Sequence, residues 1–270
     1  MLTAHTADNG VVFYRSALLS AAGAAHGFST RIGGVSHPPF DSLNLGNPNG
    51  CATQDPGDHI QENYARFAAA IGIGSRPILR VHQMHGPAVA RVVSGSEFDF
   101  AQKADAIVTA DPTRAVSVRI ADCVPILLST PNASAVAVVH AGWRGIICNV
   151  LAAAVAALVE IDPNRSRAES LIAAIGPCIG PARFEVGPEV LDEFAAAFGP
   201  DAPFVRRDDG KGLVDLPASA RLRLLACGLP PGNIDGTDCC TYTDRGHFFS
   251  HRRDHGITGR MAAIIAPATI

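Results

Sequence analysis

The chain has 270 residues, with 22 Lys plus Arg against 25 Asp plus Glu, a formal charge of −3, and 47% hydrophobic and 17% charged residues. That balance excludes the basic footprint of a nucleic-acid or anionic-membrane binder, and the apolar content excludes a disordered chain. The longest apolar run, residues 150–159, is about half the roughly 20 residues needed to cross a bilayer, and Met1-Leu2-Thr3-Ala4-His5 carries neither a basic nor an apolar leader region. A cytoplasmic protein with a small-molecule partner is the expectation.

Residues 29–57 are rich in Gly, Pro, Ser and Asn and read as ordered loop. Asp58 followed by Gln61 resembles a capping box, and Ile60, Tyr64, Phe67 and Ile71 recur at helical spacing until Gly72, which predicts a helix. Short apolar, β-branched runs at 77–81, 106–109, 115–120 and 135–139 predict strands. A helix over about 148–160 is closed by Asp162-Pro163, and a strand follows at 171–175. Two more helices are expected at about 188–198, between Pro188 and Gly199, and at about 217–227, ended by Gly228. The runs 106–109 and 115–120 leave no room for a crossover helix, so an all-parallel alternating sheet does not fit. The prediction is a single α+β domain over 1–270 with mixed sheets. The seven cysteines, at 51, 123, 148, 178, 227, 239 and 240, are an odd number in a chain long enough to fold without staples, so disulfides are not expected to hold it.

Several predicted strands give way abruptly to reactive or Gly-flanked residues. These ends are Val81-His82-Gln83-Met84-His85-Gly86, Ile120-Ala121-Asp122-Cys123-Val124-Pro125, Val139-His140-Ala141-Gly142-Trp143-Arg144-Gly145 and Ile175-Gly176-Pro177-Cys178-Ile179-Gly180. Neighbouring strand ends converge on one site, and two imidazoles with a thiolate suit zinc, so His85, Cys123 and His140 form a candidate catalytic and metal-ligand set with a fourth position open. Their separations, 38 residues from 85 to 123 and 17 from 123 to 140, match no short metal motif. A metal-free alternative stays open, with Cys123 as nucleophile and His140 as its base. Neither a G-x-x-x-x-G-K-[ST] loop, a G-x-G-x-x-G fingerprint nor the zinc-deaminase pattern occurs. Arg31, beside Gly33 and Gly34, is a candidate phosphate ligand. Near the C-terminus Arg252 and Arg253 follow an aromatic pair, with Arg260 further on, and at most one of the adjacent pair is expected to face a pocket.

Taken together, Ser29 to Ser36 with Ser42 to Gly46, Gln83 to Gly86, Ala104-Asp105-Ala106, Ala121 to Pro125, His140 to Gly145, Gly176 to Gly180, Phe184 to Val186, Cys240 to Thr243, Phe248 to Asp254 and Thr258 to Met261 carry a resemblance. The sequence resembles the YfiH-like family, also called the polyphenol oxidase, laccase-domain or purine nucleoside phosphorylase family, over about 26–265. The resemblance implies a four-layer α/β/β/α fold like the cytotoxic necrotizing factor catalytic domain. It also implies a zinc on His85, Cys123 and His140, with His82 outside that set. It further implies phosphorolysis of adenosine, inosine and methylthioadenosine, with adenosine deamination as a second activity. Arg31, its polar neighbour Asn44, and Arg253 are the residues assigned to phosphate or substrate.

Three alternatives accompany this reading. The family's older name implies copper-dependent phenol oxidation, but one His/Cys/His site supplies too few ligands for a multicopper cluster, and a thiolate site takes up added copper by the Irving–Williams order. The others are a Cys123 hydrolase acting on peptidoglycan precursors, as suggested for some relatives, and a non-enzymatic zinc-stabilised binding module.

Overall fold

The computed structural model describes residues 1–269. The strands begin with β1 (Thr3–Thr6), β2 (Val12–Arg15), β3 (Ala25–Ser29), β4 (Ile78–Leu79), β5 (Val89–Val92), β6 (Ala106–Thr109), β7 (Ala115–Ile120), β8 (Val124–Ser129) and β9 (Val136–Ala141). They continue with β10 (Ile172–Ile175), β11 (Glu185–Val186), β12 (Phe204–Arg206), β13 (Gly212–Val214), β14 (Ile234–Asp235) and β15 (Met261–Ala266). The helices are α1 (Ala17–Ala21), α2 (Gly57–Ala70), α3 (Trp143–Ile147), α4 (Val150–Ile161), α5 (Pro188–Phe198) and α6 (Leu216–Ala226).

One sheet runs β1-β2-β3-β15-β7-β4, a second runs β14-β10-β8-β9-β6-β5, and β11-β13-β12 form a small third. Both large sheets are mixed: β4 is parallel to β7 and β5 to β6, whereas β15 is antiparallel to both β3 and β7 and β8 is antiparallel to β9. The α+β class with mixed sheets therefore holds.

Two-residue periodicity decides what each sheet face touches. On β15, Ala262, Ile264 and Ala266 join Tyr64 and Phe67 of α2 and Ile71 just beyond it, while Ala263 and Ile265 join the core between the sheets. On β9, Val136 and Val138 face that same inter-sheet core, where Val116, Val118, Ile107 and Leu127 meet them. Ala137 and Val139 face the other way, against Leu151, Ala154 and Leu158 of α4 and Phe194 of α5. Across the molecule the order is helix, sheet, sheet, helices. Each fully buried Leu, Ile, Val or Phe in these clusters contributes about 1.5–3 kcal/mol of transfer free energy.

The expected helices at 188–198 and 217–227 form within a residue, as does the one at 148–160 apart from its start, where Asn149 caps α4 by accepting from Ala152 N. The expected capping box at Asp58 does not form. Instead α2 starts at Gly57 with Pro56 as its cap, and the Asp58 carboxylate accepts from His59 N. The run 77–81 pairs only at Ile78 and Leu79, because the chain then leaves the first sheet, and His82 bridges Lys103 beside the second. β6 and β7 need no crossover helix because they lie in different sheets. Among the described residues no helix is long and apolar enough to cross a membrane.

Candidate metal centre

His85 comes from the segment that passes between the sheets. The Gln83 amide pins this segment to β7, its Oε1 accepting from Arg119 N at 2.8 Å and its Nε2 donating to Arg119 O at 2.8 Å. His85 itself has φ 60°, a left-handed conformation that histidine tolerates better than most side chains. That turn is held by the buried Asp105 carboxylate, which accepts from Met84 N (3.0 Å), His85 N (2.9 Å) and Gly86 N (2.7 Å). The same carboxylate lies 2.8 Å from His140 Nδ1, so two candidate donors share one anchor. With Nδ1 engaged, His140 is left with Nε2 for a cation, and a carboxylate behind a metal-binding imidazole fixes its tautomer and orientation. Burial alone would raise the Asp105 pKa, but the bonds from His140 and the Gly86 and His85 amides outweigh it and hold it below its ordinary value.

Cys123 stands where β7 gives way to β8, after Asp122 in a left-handed conformation with φ 89°. The Asp122 carboxylate accepts from Thr241 Oγ1 at 2.6 Å and Arg252 N at 2.7 Å, which ties the strand end to two C-terminal segments. Cys123 Sγ lies 3.9 Å from His85 Nε2, and one donor atom each from His85, Cys123 and His140 fall within 4.8 Å of one another. Bonds of about 2.0–2.3 Å to a shared tetrahedral ion place donors about 3.5 Å apart, so small side-chain movements close the set. Desolvation opposes the Cys123 thiolate, yet the imidazoles of His140 and His85 pull its pKa down to about 6. Against the same desolvation, the thiolate and Asp105 push His140 up. A soft cation accepts this donor set by displacing the protons, which is how metal binding couples to pH.

Gly142 closes one side. A Cβ there would lie 2.8 Å from His85 Cδ2 and 3.1 Å from Cys123 Sγ. Its φ of −71° is ordinary, so alanine would meet no backbone strain and only the two donors would have to yield. Gly142→Ala should fold normally and take up zinc about 10-fold more weakly, as read by competition with a chelator. Unchanged affinity would show that the pair can shift freely.

The donors open on a cavity of about 290 Å³ whose wall also carries Arg119, Arg260, His82 and His251, with amides from Gln83, Asn47 and Asn49. The structure brings none of the three assigned substrate residues into that wall. Arg31 binds Asp41 through Nη2 to Oδ1 at 3.0 Å and Nε to the carbonyl at 2.6 Å, and lies over the Phe249 ring. Asn44 is fully buried, donating to Asp55 Oδ2 and accepting from Gly46 N and Arg260 N. Arg253 forks onto Asp254 and donates to the carbonyls of Thr241, Tyr242 and Phe248. Arg252 reaches Glu185 O, and Cys178 is buried beside Cys240. Sequence reasoning missed the roles of Asp105, Gln83 and Arg119. The signals were a carboxylate directly before the buried strand 106–109 and an arginine interrupting the apolar run 115–120.

Residues 25–268 match a family model described as multi-copper polyphenol oxidoreductase laccase. The chain belongs to this laccase-domain family. Within it, the chain is 41% identical over 244 residues to "Purine nucleoside phosphorylase YfiH" of Escherichia coli (strain K12), covering 90% of this chain and 93% of that protein. It is 36% identical over 241 residues to "Purine nucleoside phosphorylase" of Deinococcus radiodurans, covering 89% of this chain and 88% of that protein. Among solved structures of the family, YlmD from Geobacillus stearothermophilus superposes with a TM-score of 0.83 at 31% identity, covering 95% of this chain and 96% of that one.

Proposed function

We propose that this laccase-domain protein is a zinc-dependent purine nucleoside phosphorylase of adenosine, inosine and methylthioadenosine, with adenosine deamination as a second reaction. The observation that carries it is the three-donor group facing a cavity that holds two arginines and no carboxylate. The names of the similar family members support the same reaction. In phosphorolysis a phosphate oxygen bonds to ribose C1′ as the C1′–N9 bond breaks, and the departing purine keeps the electron pair and takes a proton. His85, Cys123 and His140 would hold the zinc ion, which would supply Lewis acidity when bound. The chain's own part is to draw the anion in with Arg119 and Arg260, to keep His140 aligned through Asp105, and to hold the His85 turn rigid.

Copper would also bind these donors by the Irving–Williams order. Among the described residues, however, they form a single three-donor group, and polyphenol oxidation by a multicopper cluster needs more ligands. The seven cysteines are all free, in keeping with the reducing cytoplasm that this reading assigns. The test is a product assay on zinc-loaded protein. Adenosine should yield adenine only when phosphate is present, and inosine would report the deamination. Absence of both products overturns the proposal.

A further inference from the structure

The cavity wall concentrates two guanidiniums and carries no carboxylate. Arg119 and Arg260 both line it, and neither Asp nor Glu does. Among the described residues nothing accepts a hydrogen bond from the Arg119 guanidinium, whose Cδ and Nη1 lie against Gly46, where a Cβ would come within 2.7 and 2.9 Å. Arg260 is the more firmly built of the two: its backbone N donates to Asn44 Oδ1, and its Nη1 donates to the carbonyls of Thr258 (2.9 Å) and Gly259 (3.0 Å). These contacts leave Nε and Nη2 of Arg260 uncommitted. Burial and the like charge of Arg119 both lower the Arg260 pKa, which marks two cations held together rather than apart. Asp122 and Cys123 offset part of this repulsion on Arg260, but the Asp122 oxygens accept from Thr241 Oγ1 and Arg252 N and make no hydrogen bond to either guanidinium.

Resting on the phosphorylase reading above, we propose that Arg119 and Arg260 form the phosphate subsite, gripping the dianion beside the His85, Cys123 and His140 donors. Two guanidiniums supply planar, charge-assisted donors that match phosphate oxygens, and a pair of part-buried like charges gains most from a doubly charged ligand. Arg260 is the fixed jaw and Arg119 the adjustable one. Arg31, whose donors Asp41 engages, has no part in the grip. The same dianion occurs as free phosphate and as the 5′-phosphate of a nucleotide, and the subsite is assigned to the free ion because that is the co-substrate.

The test compares zinc-loaded wild type with Arg119→Met, a change at a half-exposed side chain, with zinc content as the check on folding. Isothermal titration with inorganic phosphate, in the absence of nucleoside, should show binding that weakens about 10- to 100-fold in the variant. In turnover, the KM for phosphate should rise by a similar factor while the KM for adenosine stays within twofold. If wild type gives phosphate-dependent adenine and the variant keeps the wild-type phosphate KM, the subsite is overturned and the phosphorylase reading stands. If wild type gives no phosphate-dependent product, that reading falls, and the titration decides the subsite alone: loss of phosphate binding in the variant sustains it, and no binding by wild type overturns it. A parallel titration with adenosine 5′-monophosphate separates the sources. Should only the nucleotide depend on Arg119, the assignment to free phosphate is overturned.

Discussion

His85→Ala should drop zinc from near one per chain to a small fraction and abolish nucleoside turnover. The tetrahedral set loses one of three protein donors, and the exposed face at His85 fills with water rather than with a substitute ligand. Zinc affinity should fall by more than the roughly 10- to 100-fold cost of disturbing a residue that merely supports a ligand. The same variant separates metal chemistry from a Cys123 nucleophile. The Cys123–His140 pair does not need His85 as a base, and His140 exerts the larger of the two imidazole effects that lower the thiol pKa, so a thiol mechanism would survive the substitution in large part. Elemental analysis, chelation and zinc add-back check the two readings against each other. A folded, verified metal-free protein that works at the wild-type rate would sink the zinc mechanism.

Asp105→Asn should be nearly as damaging although Asp105 touches no substrate. Oδ1 serves His85 N and His140 Nδ1, while Oδ2 serves Met84 N and Gly86 N. An asparagine keeps one oxygen, so whichever way its amide turns, an NH₂ group faces two groups that were donating. Two charge-assisted bonds are lost at a fully buried position, worth about 3 kcal/mol together. In the metal-bound protein the expected result is a zinc affinity about 10- to 100-fold weaker, with the His140 ring free to change tautomer. The sign with pH follows from the depressed carboxyl pKa. Asp105 stabilises the wild type above its ordinary value of 3.8, and that benefit fades as acid protonates the folded form. The destabilisation of the metal-free variant should therefore be full at neutral pH and shrink below 3.8, as urea unfolding would measure. A constant difference across that range would assign the loss to packing instead.

Helices α2, α4 and α5 were legible because their buried residues recur at the helical period and end at Gly or Asp-Pro. β15 was not, because its Met-Ala-Ala-Ile-Ile-Ala sequence is half alanine and is poorer in the β-branched residues by which the equally buried β6 and β9 were read. The three candidate donors were visible as reactive residues at the ends of apolar runs, and the resemblance singled them out. Arg31 stands outside the cavity wall for a structural reason. The glycines beside it make room for other backbone rather than for a ligand: a Cβ at Gly33 would sit 2.5 Å from Gly10 O, and one at Gly34 would sit 2.1 Å from Ser42 O. That folding of the 29–57 loop delivers Asp41 to the guanidinium, a pairing that linear proximity to glycine does not announce. Arg119 went unread because its neighbours in sequence are strand residues, and its place on the cavity wall depends on where β7 ends relative to a segment 36 residues earlier.

Two of the three donors, His85 and Cys123, come from places where the chain passes between the two large sheets, and His140 lies within β9 of the second sheet. His85 lies beyond β4, Cys123 at the junction of β7 with β8, and His140 near the end of β9. Neither sheet folding alone would assemble them, and the Asp105 and Gln83 clasps also join segments far apart in the chain. Ordering such distant segments is slow relative to forming a helix or hairpin. On the zinc reading proposed above, metal capture should therefore come late in refolding, after the two large sheets have docked. Added zinc would then act as a late latch on a finished scaffold, and the rate at which it becomes chelator-resistant should track the docking of the sheets.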